Sequence, residues 1–233
     1  MIALGATEIS KVCLGSNELS KVCLGATELW SAAQPLPPLP MGGKRIEYIQ
    51  FTGTQYIDTG FVPDSNSCVE VVCHMTTGNT FVFGSSVSYN NRAFEMYSYG
   101  SNGCQVSYGS KWNTGALYYN SSSYYKQVVD KNIATTYDMQ GNVIKTTTLD
   151  AQTFTCPNTM LIGALHRGAN GQTITINTKT FEIKSFIIKD NGVEVRNYIP
   201  AKIGQVGYLF DTIHEVYYGN ERDTDFVLGG DID

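Results

Sequence analysis

Residues 181–200 read FEIKSFIIKDNGVEVRNYIP, and their grammar sets the fold class. Phe181, Ile183, Ser185 and Ile187 alternate with Glu182 and Lys184, the period of two that a half-buried strand requires. The run then meets Asn191-Gly192, two residues that both tolerate φ > 0, and continues into Val193-Glu194-Val195. That is the signal of a two-residue hairpin. Working outward, the same grammar recurs. YDMQGNVIK (137–145) predicts a second hairpin around Gly141-Asn142, and LIGALHRGANGQTITI (161–176) predicts a third at Asn170-Gly171. No window between 46 and 230 combines a 3.6-residue period with helix caps. Short strands punctuated at intervals of roughly 8–15 residues predict an all-β sandwich or barrel.

Upstream the grammar changes twice. Residues 3–12 read ALGATEISKV, 13–22 CLGSNELSKV and 23–30 CLGATELW, a ten-residue repeat with Leu-Gly at 4–5, 14–15 and 24–25. Each unit reads as one strand and a turn, which predicts a small β-meander over 1–30. Ile9, Lys11 and Cys13 would then share one face, with Ser10, Val12 and Leu14 on the other. Three short strands cannot bury two apolar faces alone, so the arm is expected to be completed by other chains. Residues 31–45, SAAQPLPPLPMGGKR, hold Pro35, Pro37, Pro38 and Pro40 before Gly42-Gly43. Such density predicts an extended, semi-rigid spacer, although Pro35–Pro38 also fits a PxxP motif. The expected domains are therefore arm (1–30), linker (31–45) and β domain (46–233).

Composition narrows the function classes. Of 233 residues only 16% are charged, while 12% are aromatic, the reverse of a disordered chain. The balance of 16 basic and 21 acidic residues gives −5, so no nucleic-acid partner is expected. No apolar run approaches the roughly 18 residues of a membrane span, and no membrane insertion is expected. In MIALGATEISKV, Glu8 precedes any basic residue, which does not read as a signal peptide; synthesis in a cytoplasm is expected. Cysteines stand at 13, 23, 68, 73, 104 and 156, with no CxxC pair, and His74, His166 and His214 are far apart. Reduced, buried thiols are expected, with no metal and no cofactor. Asp58, Asp64, Asn66 and Asp138–Asn142 are loop oxygens that calcium could use, but no dense Asp/Asn string supports that ion.

Two stretches add a resemblance: IEYIQFTGTQYIDTGF (46–61) and FEIKSFIIKDNGVEVRNYIPAKIGQVGYLFDTIHEVYYGN (181–220). The second carries Asn191-Gly192, Arg196-Asn197-Tyr198-Ile199-Pro200, Gly207-Tyr208, Phe210-Asp211 and Tyr217-Tyr218-Gly219-Asn220. Together these resemble the opening and closing signatures of the concanavalin-A-like (laminin-G-like) jelly-roll domains of bacteriophage and prophage structural proteins. Leu209-Phe210 departs from the shorter Leu-Tyr-Asp usual there, and residues 85–160 match only in strand-rich style. The ten-residue arm resembles N-terminal repeats of phage tail and fibre proteins. The resemblance implies a jelly-roll β-sandwich whose first and last strands pair, with Arg196 and Asp211 as a structural ion pair. It implies a virion structural protein, a head- or tail-fibre subunit that contacts a host surface or glycan. A homotrimer is then expected, joined to other virion proteins through residues 1–30. The alternative is a bacterial carbohydrate-binding adhesin or an accessory module of a glycoside hydrolase.

Glycoside hydrolases share this architecture, and retaining ones need two carboxylates about 5–5.5 Å apart. Between 64 and 182 no two acids stand at i, i+2; Asp223/Asp225 and Asp231/Asp233 do so, but at the C-terminal edge. No catalytic residues are expected. Binding is better supported, because SYGSNGCQVSYGSKWNTGALYYNSSSYY (98–125) interleaves aromatics with Ser, Gly and Asn. That mixture makes adaptable contact surfaces at low entropic cost. Trp112, Tyr118, Tyr119, Tyr124 and Tyr125 are the expected glycan-contact residues, the alternative being strand residues that face a core or a subunit.

Overall fold

A computed structural model describes residues 36–76, 78–88, 91–99, 103–171, 173–176 and 179–232, with the backbone of strand segments inside 3–31. The chain divides into two compact units, Met1–Pro38 and Leu39–Asp233.

In the first unit β1 (Ala3–Leu4) pairs with β2 (Thr7–Glu8), β3 (Cys13–Leu14) with β4 (Asn17–Glu18), and β5 (Lys21–Leu24) with β6 (Thr27–Ser31). Each pair is a sheet of its own among the described residues. The register repeats with the sequence: Leu4↔Thr7, Leu14↔Asn17, Leu24↔Thr27. This corrects the expected meander. One ten-residue unit is a whole hairpin: just two positions separate Leu4 from Thr7, and in each unit the first of the two is glycine, as a two-residue connection favours. Ile9 to Val12, on which the two-faced arrangement rests, lie outside the described residues.

The second unit begins with a 3-10 turn at Pro40–Gly42. Its strands are β7 (Lys44–Arg45), β8 (Ile49–Phe51), β9 (Ile57–Asp58), β10 (Ser67–Met75), β11 (Thr80–Ser86), β12 (Ala93–Tyr99), β13 (Gly103–Gly109) and β14 (Lys111–Tyr118). There follow β15 (Tyr125–Asp130), β16 (Ile133–Tyr137), β17 (Val143–Thr148), β18 (Leu161–Ile162), β19 (Ala164–Arg167) and β20 (Thr173–Ile176). The last are β21 (Phe181–Asp190), β22 (Val193–Ile203), β23 (Val206–Asp211), β24 (Val216–Tyr218) and β25 (Val227–Leu228). They form a two-sheet sandwich that is not closed into a barrel. The larger sheet runs β17-β16-β15-β10-β21-β22-β23-β24, with β8 between β21 and β25 and β7 beside β22. The smaller runs β14-β13-β12-β11-β18-β9, with β19 and β20 alongside β11. Pairing is antiparallel except for the short β11–β19 contact at Ser85↔His166.

The core lies between the sheets. Val69, Val71, Cys73 and Met75 of β10 and Phe181, Ile183, Phe186 and Ile188 of β21 face Phe83, Phe94, Met96 and Val106 of the smaller sheet. Phe83 meets Phe186 edge to face at 5.9 Å, tying the two layers. The expected alternation of β21 fails after Ile183. Val72 pairs with Ser185 but Cys73 with Ile183, a bulge that leaves Lys184 as the extra residue. A bulge shifts the phase of a strand, so Phe186 and Ile188 are buried in place of Ser185 and Ile187. The hairpin beyond it forms as read: Asp190 pairs with Val193, with φ of 49° at Asn191 and 81° at Gly192. The other two hairpins close at Tyr137↔Val143 and Arg167↔Thr173.

Opening and closing segments lie side by side, through Ile49↔Leu228, Gln50↔Val227 and Ile46↔Asp231. Tyr217-Tyr218 pairs with β23. Arg196 Nε stands 3.7 Å from Asp211 Oδ2. Cys68, Cys73, Cys104 and Cys156 are free and buried. Burial pushes the Cys68, Cys73 and Cys156 thiols up to about 12, which keeps them protonated and unreactive.

Candidate contact face

Along β12 the core takes Phe94 and Met96, so Glu95, Tyr97 and Tyr99 point to the outer face of the smaller sheet. Along β13 the core takes Val106 and Tyr108, which leaves Gln105 and Ser107 outside. Pairing sets these side chains in rows. Gly84↔Glu95, Glu95↔Ser107 and Ser107↔Trp112 make one row across four strands, and Tyr97↔Gln105 begins the next. Leu165 packs close against Gly84 at this end of the row: a Cβ there would stand 2.7 Å from Leu165 Cδ1.

A chain of donors runs beneath this face. Gln105 Nε2 donates to Ser107 Oγ at 3.2 Å, and Ser107 Oγ donates to Glu95 Oε1 at 2.8 Å. Ser107 and Glu95 are themselves buried, so they shape the face from below. Burial pushes the Glu95 carboxyl up, opposed by the Ser107 hydrogen bond and by the Arg167 charge. A raised folded-state value stabilises at low pH and loses that contribution as pH rises through it. Stability should therefore decline above the usual carboxylate range, and Glu95→Gln should flatten that slope while keeping an acceptor for Ser107. Urea midpoints of both proteins at about pH 5 and about pH 8 measure this. A slope unchanged in Glu95→Gln would put its origin elsewhere.

Exposed rings stand on the same face, Trp112 in the Glu95–Ser107 row and Tyr99 two rows along. Trp112 is 52% exposed and Tyr99 58%. Tyr97 lies 6.5 Å from Tyr99 and 4.5 Å from Phe81, and its hydroxyl donates to Asn79 Oδ1. Flat apolar rings flanking an amide can stack on a sugar face while Gln105 bonds its hydroxyls.

The five residues expected from the sequence do not share a surface. Trp112 lies on the face just described. Tyr119 is only 1% exposed and belongs to the core, beyond reach of any large ligand. Tyr118 and Tyr125 pack edge to face at 5.5 Å where β14 meets the larger sheet; Thr136 Oγ1 accepts from Tyr118 N, and Gln127 Nε2 donates to Tyr118 O. Tyr124 lies on the outer face of the larger sheet, its hydroxyl donating to Glu182. Glu182 also accepts from Gln50 Nε2 at 3.3 Å and stands 3.3 Å from His74 Nδ1, and Lys184 Nζ sits 4.3 Å from the Tyr124 ring. These contacts pin the loop before β15 to the sheet. His74 Nε2 also stands 2.9 Å from Ser121 O, in the same loop.

Among the described residues no group of three or more His, Cys, Asp or Glu is placed to hold a metal. The loop carboxylates cap their own turns: Asp58 accepts from Gly60 N, Asp64 from Asn66 N, and Asp138 from Gln140 N and Asn142 N. A pocket of 390 Å³ opens on the larger sheet's outer face between Val72, Lys126, Tyr137 and Met139. Neither a scan against protein-family models nor a search of curated proteins found a match.

Proposed function

We propose that this chain is a bacteriophage appendage subunit, a head- or tail-fibre protein whose lectin-like jelly roll contacts a host-surface glycan. The observation that carries the reading is the pair of exposed rings on one face of the smaller sheet: Trp112 in the row of Glu95 and Ser107, and Tyr99 two rows further along, with Gln105 in the row between. Sugar recognition needs a flat apolar platform beside fixed hydrogen-bonding groups, and a two-sheet scaffold holds both rigidly. The arm and spacer support the display role. Three hairpins with one register offer repeated edges for association, and Leu39, the first residue of the second unit, packs against Ala201 and Phe210. Low charge favours contact through shape and stacking over steering of charged ligands.

Trp112 reports on this reading directly, because the chain has just one other tryptophan, Trp30. In a Trp30→Phe protein the exposed Trp112 should be quenched freely by acrylamide. A polysaccharide that binds should cut that quenching about twofold or more by covering the ring. Quenching unchanged by saturating amounts of any sugar retained on a column of this protein would place binding away from Trp112.

A further inference from the structure

We propose, resting on the sugar-contact reading above, that the glycan is an unbranched, uncharged chain lying lengthwise along the line Trp112–Gln105–Tyr99. The register sets these three side chains on one diagonal. Ser107↔Trp112 defines the first row, Tyr97↔Gln105 the second and Tyr99↔Gly103 the third. Trp112 stands on β14 in the first row, Gln105 on β13 in the second and Tyr99 on β12 in the third. Each step therefore moves one strand across and one row along. All three rows are counted on the β12–β13 pairing, which is regular throughout. The irregular stretch of the β13–β14 pairing falls between Cys104 and Val106, beyond the Ser107↔Trp112 pair.

Sheet geometry turns that diagonal into a length. A row is about 7 Å of strand and a strand spacing about 4.8 Å, so Trp112 and Tyr99 rise from backbone positions about 17 Å apart. One sugar ring is no wider than a strand spacing, about 5 Å, so a run of about four is needed to lie on both aromatic rings. The ground between them is low. Glu95 and Ser107 are buried, and Gly103 has no side chain to obstruct the third row. Gln105, midway, sends Nε2 to Ser107 Oγ at 3.2 Å, which fixes the plane of its amide. Ring, amide and ring in line suit a chain that repeats apolar ring faces and hydroxyls. Charge sets the rest of the class. None of the three side chains on the line is charged, and Glu95, the one carboxyl of these rows, is buried, so the line offers no exposed ion to pair with a charged sugar.

The test is chain length. Disaccharides and hexasaccharides of the cello-, manno-, laminari- and malto- series are titrated into the full chain carrying Trp30→Phe, with oligogalacturonate as the charged counterpart. Binding is read from Trp112 fluorescence. At least one hexasaccharide should bind about tenfold more tightly than its disaccharide, because it alone reaches both rings. Tyr99 is exposed, so Tyr99→Ala keeps the fold. That variant should bring the hexasaccharide down to the affinity of the disaccharide and leave the disaccharide unchanged. Equal affinity for the two lengths, a length gain that survives Tyr99→Ala, or tighter binding of oligogalacturonate overturns the proposal while sugar contact at Trp112 stands. No response of Trp112 to any of these sugars also overturns it, and then the sugar-contact reading falls with it.

Discussion

Phe51→Ala is expected to destabilise the sandwich by about 4 kcal/mol. Phe51 is fully buried on β8, stacked on Phe181 at 4.5 Å and edge-on to Phe226 at 4.9 Å. Gly163, at φ 84°, packs against the same ring; a Cβ there would stand 2.6 Å from Phe51 Cδ1. β8 joins β21 on one side to β25 on the other, so one ring fastens the opening and closing segments of the domain. Removing it opens a cavity that rigid strands on both sides cannot collapse to fill. The urea midpoint should fall sharply with an unchanged m-value. A loss below about 1 kcal/mol would mean that the closing strand is not held through this contact.

Asp211→Ala is expected to cost about 3 kcal/mol. Asp211 is completely buried and its carboxylate is shared: Oδ1 accepts from Asn197 N at 3.0 Å and Ile213 N at 3.1 Å, while Oδ2 stands 2.6 Å from His214 Nδ1 and 3.7 Å from Arg196 Nε. Alanine strands two backbone donors and removes the carboxylate beside Arg196, whose Nε and Nη1 still donate to Thr59 O and Val195 O. The loss comes from those orphaned groups more than from the ion pair itself. Asp211→Asn keeps an acceptor for the backbone and should lose about half as much. Equal losses for both variants, measured by urea unfolding at neutral pH, would assign the whole effect to the charge.

How much of this was legible in the sequence depends on how local each cause is. Asn191-Gly192 announced its hairpin because two adjacent positive φ values are a local demand. Ten-residue periodicity announced a repeated β unit, but a meander and a row of hairpins use the same strand residues. Only pairing partners tell them apart. The β21 bulge left no mark in FEIKSFIIKD, since it answers to Val72 and Cys73 more than a hundred residues earlier. Alternation alone therefore puts Ser185 and Ile187 on the wrong face.

The contact face was legible in part. Trp112 stood out by residue type, and its exposure follows from its place on the end strand β14. Tyr118, Tyr119, Tyr124 and Tyr125 share only closeness in sequence. The end of β14, the following loop and the start of β15 send them to a sheet margin, the core and the opposite sheet. Glu95, Gln105 and Ser107 alternate with apolar residues in FEMYSY and CQVSYG. That they form one chain of hydrogen bonds depends on the β12–β13 register, which no single segment encodes.

The central claim is that the sandwich meets a glycan through the outer face of the smaller sheet. A glycan array probed in parallel with the wild-type chain, Trp112→Ala and Tyr124→Ala tests it most directly, because the two variants lie on opposite sheets. Binding by the wild-type chain that Trp112→Ala abolishes and Tyr124→Ala leaves intact is the predicted result. Binding lost in Tyr124→Ala but kept in Trp112→Ala, or a wild-type chain that binds no glycan, would contradict it.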